Sequence, residues 1–192
     1  MRLLPGRLSL VLMGLVLHLS STSLAASEPK STDKIAAPPS DEEVYKGNLA
    51  TVGITYNVTA NTIDLTIDES KAIAALPLLH DAGVVGSVPP DVVKKKSAMI
   101  AIDPIGVTFV AAIVSNAYTD STTLDQVHVQ GYFIPAGSKD ATAKQPCFSF
   151  NFNRALFKTA AWDTLQTKEF IAKVPGFKYS DWCAKAIGAG TG

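Results

Sequence analysis

Two cysteines, Cys147 and Cys183, have the best-defined chemistry in this chain. They do not form a Cys-x-x-Cys motif, so the sequence does not indicate a redox-active pair. Two cysteines alone also cannot build a structural zinc site. In an exported protein, an even and minimal number of cysteines predicts one disulfide. Such a bridge would stabilise the fold by about 3.8 kcal/mol in the chain-entropy model.

Cys147 begins the alternating segment CFSFNFN, in which phenylalanine occupies every second position. Successive side chains of a strand point to opposite faces, so Cys147 is expected on the face opposite these phenylalanines. The helix that carries Cys183 is therefore expected to reach that second face near the start of the strand.

Histidine is the side chain best suited to proton transfer near neutral pH. After the first 25 residues the chain has two, His80 and His128. His80 lies near the end of a short helix, where its simplest role is contact with terminal carbonyl groups. His128 shares one face of an alternating strand with Gln130 and Tyr132, because the two valines that flank His128 point inward. We predict that these three residues form a binding stripe, with a solvated strand face as the alternative.

No sequence motif identifies a catalytic or metal-ligating residue. The chain lacks the G-x-S-x-G elbow of a nucleophilic serine and the H-E-x-x-H ligand pair of zinc enzymes. Asp64 and Asp68 share a predicted strand face, but about 13 Å would separate their backbones, too far for paired glycosidase carboxylates. We predict neither metal nor cofactor and favour a non-catalytic protein. A secreted hydrolase with His128 or His80 as general base is the alternative.

The first 25 residues have the three regions of a secretory signal peptide. Arg2 and Arg7 supply the positive charge, and the apolar run over 8–19 is shorter than the roughly 20 residues of a membrane span. Ser23 and Ala25 occupy the small-residue positions before a cleavage site. The sequence therefore predicts cleavage after Ala25 and a periplasmic or extracellular location.

The charge composition argues against a nucleic-acid partner. Lys and Arg together number 17, as do Asp and Glu, which gives a formal net charge of +0. After the predicted cleavage site the remaining arginine is Arg154. Because arginine is the usual residue for bidentate phosphate and carboxylate recognition, a nucleotide or nucleic-acid site is not expected.

The segment 97–115 is strongly apolar but is interrupted by Asp103-Pro104. An aspartate at the centre of a membrane span costs about 2.5–3.5 kcal/mol, so we predict two buried segments and no transmembrane segment after signal removal. The β-branched run from Ile105 to Val114 is predicted to be a central strand buried on both faces.

Alternation predicts a hairpin over 52–68 and strands over 126–134 and 148–152. Helices are predicted mainly in the C-terminal third, one ending at Val174 and the last running from Asp181 to Ile187 between Ser180 and Gly188. The expected fold class is α+β, a single domain with an antiparallel or mixed sheet and one disulfide.

Composition divides the chain into a signal peptide (1–25), a flexible linker (26–43), a globular domain (44–188) and a flexible tail (189–192). These features favour an exported binding protein, such as a small accessory subunit of an envelope complex, whose partner is another envelope or secreted protein. A small-molecule carrier with an apolar pocket near Tyr132 and the phenylalanine strand is a further alternative.

Overall fold

The computed structural model describes residues 40–121, 123–138, 143–162, 165 and 167–188. The predicted signal peptide, the linker up to residue 39 and the tail over 189–192 lie outside these residues. The predictions about export and cleavage therefore stay predictions.

The first half of the domain is a helix, a β-hairpin and a long helical segment. In chain order the elements are α1 (Asp41–Thr51), β1 (Ile54–Val58), β2 (Thr62–Asp68), α2 (Glu69–Ala74), α3 (Leu76–Asp81), α4 (Pro90–Ile100), a π-helix (Ala101–Val107) and α5 (Thr108–Asp120). The second half completes the sheet and adds short helices. Its elements are β3 (Gln126–Ile134), β4 (Gln145–Asn153), α6 (Arg154–Phe157), α7 (Thr167–Lys173), β5 (Lys178–Tyr179) and α8 (Asp181–Ile187).

The five strands form one mixed sheet in the order β1-β2-β3-β4-β5. All neighbouring strands are antiparallel except β2 and β3, which run parallel. The α+β class, the mixed sheet and the disulfide are as predicted. The distribution of helices differs, because the longest helical run lies in the middle of the chain, from α4 to α5, and not in the C-terminal third.

The helices pack against one side of the sheet, which we call the inner face. Alternate residues of the strands point to it, and their apolar side chains are at most 2% exposed. These residues are Ile54, Ile63, Leu65, Ile67, Val127, Val129, Phe133, Phe148, Phe150 and Phe152. The strict two-residue period of these strands is therefore what builds the core.

Aromatic rings cover the β4 end of the inner face. Phe152 packs edge-on against Trp162 with ring centroids 4.8 Å apart, and Phe150 packs edge-on against Phe170 at 5.6 Å. Phe177 stacks on Phe150 at 5.4 Å. These rings fill the space beside the phenylalanine strand, where the sequence suggested an apolar pocket as one alternative.

The prediction of a buried strand from Ile105 to Val114 is wrong, because this segment continues the helical run through the π-helix and α5. An apolar run without periodicity fits a strand or a helix that is buried on all sides. Proline lacks the N–H that an α-helix needs, and the wider π-helical turn accommodates Asp103-Pro104 within one helical segment. A Cβ atom at Gly106 would lie 2.2 Å from Ile67 Cδ1, so this helix packs closely onto β2.

The helical run Pro90–Thr119 is long and apolar enough, by length and composition alone, to cross a membrane. Within the fold, 71% of its most apolar window is buried. Such burial is common for the core helix of a globular domain. The absence of a transmembrane segment after residue 25 stays a prediction.

Helix α1 begins inside the predicted linker. Ser40 caps it, since the Ser40 hydroxyl accepts from the Glu43 amide and the Glu43 carboxylate accepts from the Ser40 amide at 2.7 Å. This reciprocal pair is a capping box. The ordered domain therefore includes residues 40–43, and it starts before the predicted boundary at residue 44.

The C-terminal helix has the predicted ends. Ser180 caps α8 by accepting from the Cys183 amide, and Gly188 closes the helix in the left-handed conformation with φ 73°. Cys183 forms the predicted disulfide with Cys147, with their Cα atoms 5.0 Å apart.

The expected orientation of Cys147 is wrong because β4 contains a β-bulge. Gly131 on β3 pairs with Phe148, whereas the next residue, Tyr132, pairs with Pro146. Cys147 is therefore an extra residue without a partner on β3, and the alternation shifts by one position there. As a result Cys147 and Phe148 are both buried.

The bulge directs the disulfide to the helical side of the sheet. Helix α8 lies on that side, since its Trp182 ring contacts inner-face Phe133 with centroids 5.3 Å apart. The last helix thus belongs to the same layer as the other helices and does not reach the second face of the sheet.

Candidate functional site

The predicted stripe of His128, Gln130 and Tyr132 lies on the outer face of the sheet, opposite the helices. His128 is exposed, and Gln130 and Tyr132 are half-buried, whereas the residues between them are buried. The structure therefore places the three side chains on one face, as the alternation requires.

Neighbouring strands extend this stripe into a larger polar surface. The register pairs Thr62 with His128, Asp64 with Gln130, and Thr66 with Tyr132. We call the whole surface the polar face, and it comprises Thr55, Asn57, Thr62, Asp64, Thr66, His128, Gln130, Tyr132, Ser149 and Asn151. All of these side chains are exposed or half-buried.

Contacts among the side chains of the polar face use some of their hydrogen-bonding atoms and leave others for a partner. His128 Nδ1 lies 3.1 Å from Asn151 Oδ1, so a proton on Nδ1 leaves Nε2 as an acceptor. The Gln130 amide donates to the carbonyl oxygen of Phe148 at 3.1 Å, which fixes its orientation. The ammonium group of Lys144 lies 4.1 Å from the centre of the Tyr132 ring, a cation–π contact.

His80 lies elsewhere, in a groove of about 410 Å³ that it shares with Asp81 and Ser87. His80 Nδ1 is 3.4 Å from the carboxylate of Asp81, and both side chains are exposed. The hydrogen bonds of the described residues do not connect Ser87 with His80. A catalytic triad needs a buried carboxylate that orients the histidine and a serine bonded to it, and this geometry is absent here.

A second candidate site is a cavity of about 770 Å³ at one end of the sheet, which we call the tip cavity. It lies between the β1–β2 turn, the end of α5 and the segment that leads into β3, with one residue of α1 at its rim. Ligand sites commonly have volumes of about 300–1,000 Å³. The tip cavity adjoins the polar face, because Asn61 and Gln126 also line a smaller groove that contains His128.

Four polar side chains at the tip cavity have unused hydrogen-bonding capacity. They are the amides of Asn61, Asn116 and Gln126 and the carboxylate of Asp125. Among the residues that the structure describes, no hydrogen bond or ion pair involves these four side-chain groups.

Arg154 holds the wall of the tip cavity in place. Its guanidinium donates to the carbonyl oxygens of Tyr118, Ser121 and Leu124, which form the end of α5 and the turn after it. Its backbone amide donates to the Asp125 carbonyl at 2.8 Å. A cation at a helix C-terminus satisfies carbonyls that have no intrahelical partner. The arginine that could have bound an anionic ligand is therefore committed to the fold.

Two half-buried tyrosines remain protonated at neutral pH. Burial, and then the nearby Asp103 carboxylate, raise the pKa of Tyr179 far above its usual range, and the Tyr179 hydroxyl donates to Asp103 at 3.1 Å. Burial also raises the pKa of Tyr45, whose hydroxyl has no hydrogen-bond partner within the described ranges. Neither group is poised to act as a base.

The buried carboxylate of Glu69 is fully engaged. It accepts from the Ser97 hydroxyl at 2.5 Å and from the Ala136 amide at 2.7 Å, so it links α2, α4 and the segment after β3. Among the described residues, no group of three His, Cys, Asp or Glu side chains is placed to hold a metal ion.

The sequence indicated the polar face, but it did not indicate the tip cavity. The cavity residues come from separate parts of the chain, and single polar residues in turns, such as Asn61 and Asp125, give no periodic signal. The S-x-x-E pattern at Ser40 was an available signal for helix α1 and its capping box.

Comparison with protein-family models, with curated proteins and with solved structures found no match for this chain.

Proposed function

We propose that this protein is a non-catalytic exported protein that binds another exported or envelope protein through the polar face. The observation that carries this proposal is the asymmetry of the sheet. Among the described residues the helices pack on the inner face, and the outer face presents polar side chains on four adjacent strands.

The chemistry of the polar face suits a protein partner. Hydroxyl and amide groups dominate it, Asp64 is its carboxylate, and Tyr132 adds an amphipathic ring. Cores of protein interfaces are depleted in charged residues and enriched in tyrosine. A small molecule usually needs a concave site. The open face of a sheet is a broad surface, so it suits a protein partner better.

The disulfide supports the export component of the proposal. A bond between Cys147 and Cys183 is compatible with an oxidising compartment, where structural disulfides persist. The predicted signal peptide, which lies outside the described residues, points to the same compartment.

A hydrolase is less well supported. His128 is paired with the amide of Asn151, and His80 with the exposed carboxylate of the residue next to it. Within the described ranges neither imidazole lies within hydrogen-bond distance of a serine hydroxyl.

The proposal can be tested by photo-crosslinking in the cells that produce the protein. A photoreactive amino acid replaces Asn151 on the polar face, and the matched control replaces Lys95, which is exposed on helix α4. We expect a discrete adduct with one partner protein from position 151 and none from position 95. No adduct at position 151, or the same adducts from both positions, would contradict the proposal.

Binding of the crosslinked partner is then measured with purified proteins. The double variant Asp64→Lys, Thr66→Arg should bind at least about tenfold more weakly, because unmatched charges would be buried in the interface. Its melting temperature must stay close to that of the unmodified protein, since both side chains lie on the outer face. Unchanged affinity would exclude the polar face as the binding surface.

A further inference from the structure

We propose that the tip cavity is a binding site for a neutral, hydroxyl-rich ligand of the saccharide class. This inference does not rest on the proposed protein partner, because it concerns a concave site beside the polar face and not the face itself. It depends on the volume, the polar lining and the charge of the cavity.

The polar lining matches hydroxyl groups. The amides of Asn61, Asn116 and Gln126 each offer donors and an acceptor, and the Asp125 carboxylate offers acceptors. A sugar hydroxyl both donates and accepts, so it can pair with either kind of group. These side chains form no hydrogen bonds among themselves or with other described residues, so a ligand would not have to displace existing partners.

The charge of the cavity favours a neutral ligand. The described residues that line it include no Lys, Arg or His, and they include the acidic Glu42 and Asp125. The Glu42 carboxylate pairs with Lys46 at 2.7 Å, and no ion pair among the described residues involves Asp125. The lining side chains therefore offer no cation as a partner for a phosphate or carboxylate ligand, whereas the Asp125 carboxylate is well suited to accept from hydroxyl groups.

The apolar part of the lining suits the C–H faces of a sugar ring. Tyr56 contributes an aromatic ring, and Ile113 and Leu124 contribute aliphatic surface. Val58, also in the lining, is 40% exposed, which is high for a large apolar side chain in this fold. Apolar surface combined with a few convergent polar groups is the usual composition of a small-molecule site.

Hydrogen bonds hold both walls of the tip cavity. Arg154 fixes the carbonyl groups at the end of α5, and the Ser121 hydroxyl accepts from the Leu124 amide at 3.2 Å. On the other side, the Thr59 amide closes the hairpin turn by donating to the Thr62 carbonyl at 2.9 Å. Walls held in this way reduce the entropy that binding must offset.

The test screens the exported, processed protein against an array of neutral oligosaccharides, and titration calorimetry with the best binder follows. Asn116→Leu removes the hydrogen-bonding amide on α5 while keeping a side chain of similar size, and we expect at least tenfold weaker binding. The matched control is Asn48→Leu, because Asn48 is also a half-buried helical asparagine and lies outside the cavity. It should change affinity less than twofold.

A charge comparison tests the ligand class. An oligosaccharide of the same length that contains uronic acids should bind at least tenfold more weakly than the neutral one. The proposal is overturned if no neutral saccharide binds, if the acidic saccharide or a quaternary amine such as choline binds better, or if Asn116→Leu leaves the affinity unchanged. Should Asn116→Leu fail to fold, Gln126→Leu at the exposed start of β3 takes its place with the same expectation.

Discussion

The inner and outer faces of the sheet are built from alternate residues of the same strands, yet different forces act on them. Phe150 is 2% exposed and packs among aromatic rings, whereas the next residue, Asn151, is exposed and contacts an exposed histidine. The inner face loses water on folding and gains most of the hydrophobic stabilisation. The outer face loses less water, so its side chains are not constrained by core packing and can serve recognition.

The contrast predicts that the face on which a strand residue lies decides whether its substitution changes stability or binding. Inner-face changes should reduce the free energy of unfolding, and outer-face changes should alter binding. The following substitutions test this division, beginning with the largest expected effect.

Phe150→Ala should lower the free energy of unfolding by about 3–5 kcal/mol, because it leaves a cavity between the rings of Phe170 and Phe177. Asn151→Ala, on the opposite face, should change it by no more than about 0.5 kcal/mol. Urea denaturation of both variants measures the difference. Similar losses for the two positions would mean that the outer face is covered as well.

Loss of the disulfide should lower the free energy of unfolding by about 3–4 kcal/mol, because the unfolded chain gains conformational freedom. The comparison is urea denaturation with and without reductant, and thiol titration of the native protein should detect no free cysteine. In the double variant Cys147→Ser, Cys183→Ser, reductant should have no effect. Two titratable thiols in the native protein would refute the bridge.

Gly131→Ala should lower the free energy of unfolding by about 1–3 kcal/mol, because its Cβ would lie 2.3 Å from Phe148 Cζ on the inner face. Gly47→Ala is the control, and it should raise the free energy of unfolding. Gly47 lies in helix α1 with no atom within 4 Å of an added Cβ, so alanine should stabilise the protein by about 0.5–1 kcal/mol. A double-mutant cycle with Phe148→Leu checks the steric explanation. If Gly131→Ala lowers the free energy of unfolding by as much in the Phe148→Leu background, the explanation is wrong.

Alkaline pH should destabilise the protein through Tyr179, whose hydroxyl is buried beside Asp103. Its folded-state pKa is raised above the ordinary value of 10.0, so the folded state retains this proton longer than the unfolded state. The contribution is complete below pH 10 and declines as the pH rises above it. Melting temperatures between pH 8 and pH 11 should fall less steeply for Tyr179→Phe than for the unmodified protein. If the melting temperatures of the two proteins fall equally with pH, groups other than Tyr179 cause the loss of stability.

Tyr132→Ala should lower the free energy of unfolding by about 1 kcal/mol or less, because the half-buried ring lies on the polar face, where it forms a cation–π contact with Lys144. Binding of the protein partner should weaken strongly. Tyr132→Phe keeps the ring and should retain most of the affinity. A stability loss above about 3 kcal/mol for Tyr132→Ala would instead place this residue in a buried core.

The features that the sequence predicted correctly are those determined by near neighbours in the chain. The period of two predicts the strands and the face of His128, and a serine before and a glycine after an amphipathic segment predict both ends of α8. The disulfide followed from the number of cysteines. Each of these conclusions needs only local geometry and the properties of the residue types.

The features that it did not predict depend on contacts between distant segments. The run from Ile105 to Val114 is surrounded by the sheet and by other helices, so it is apolar on all sides. Its sequence therefore has no hydrophobic period that would distinguish a helix from a strand. The bulge at Cys147 shifts the alternation by one residue, and β4 alone does not reveal it. The tip cavity exists only because the turn at Asn61 meets the loop at Asp125.

The parallel pairing of β2 with β3 has a consequence for how quickly this protein folds. These two strands are neighbours in the sheet, but residues 69–125, with the long central helix, separate them in the chain. Each antiparallel hairpin can form from nearby residues, whereas joining the two hairpins closes a long loop and costs correspondingly more entropy. The association of the two halves of the sheet should therefore limit the folding rate. Until it occurs, the edges of β2 and β3 stay open to pairing with other chains, so slow association of the two hairpins would prolong the risk of aggregation.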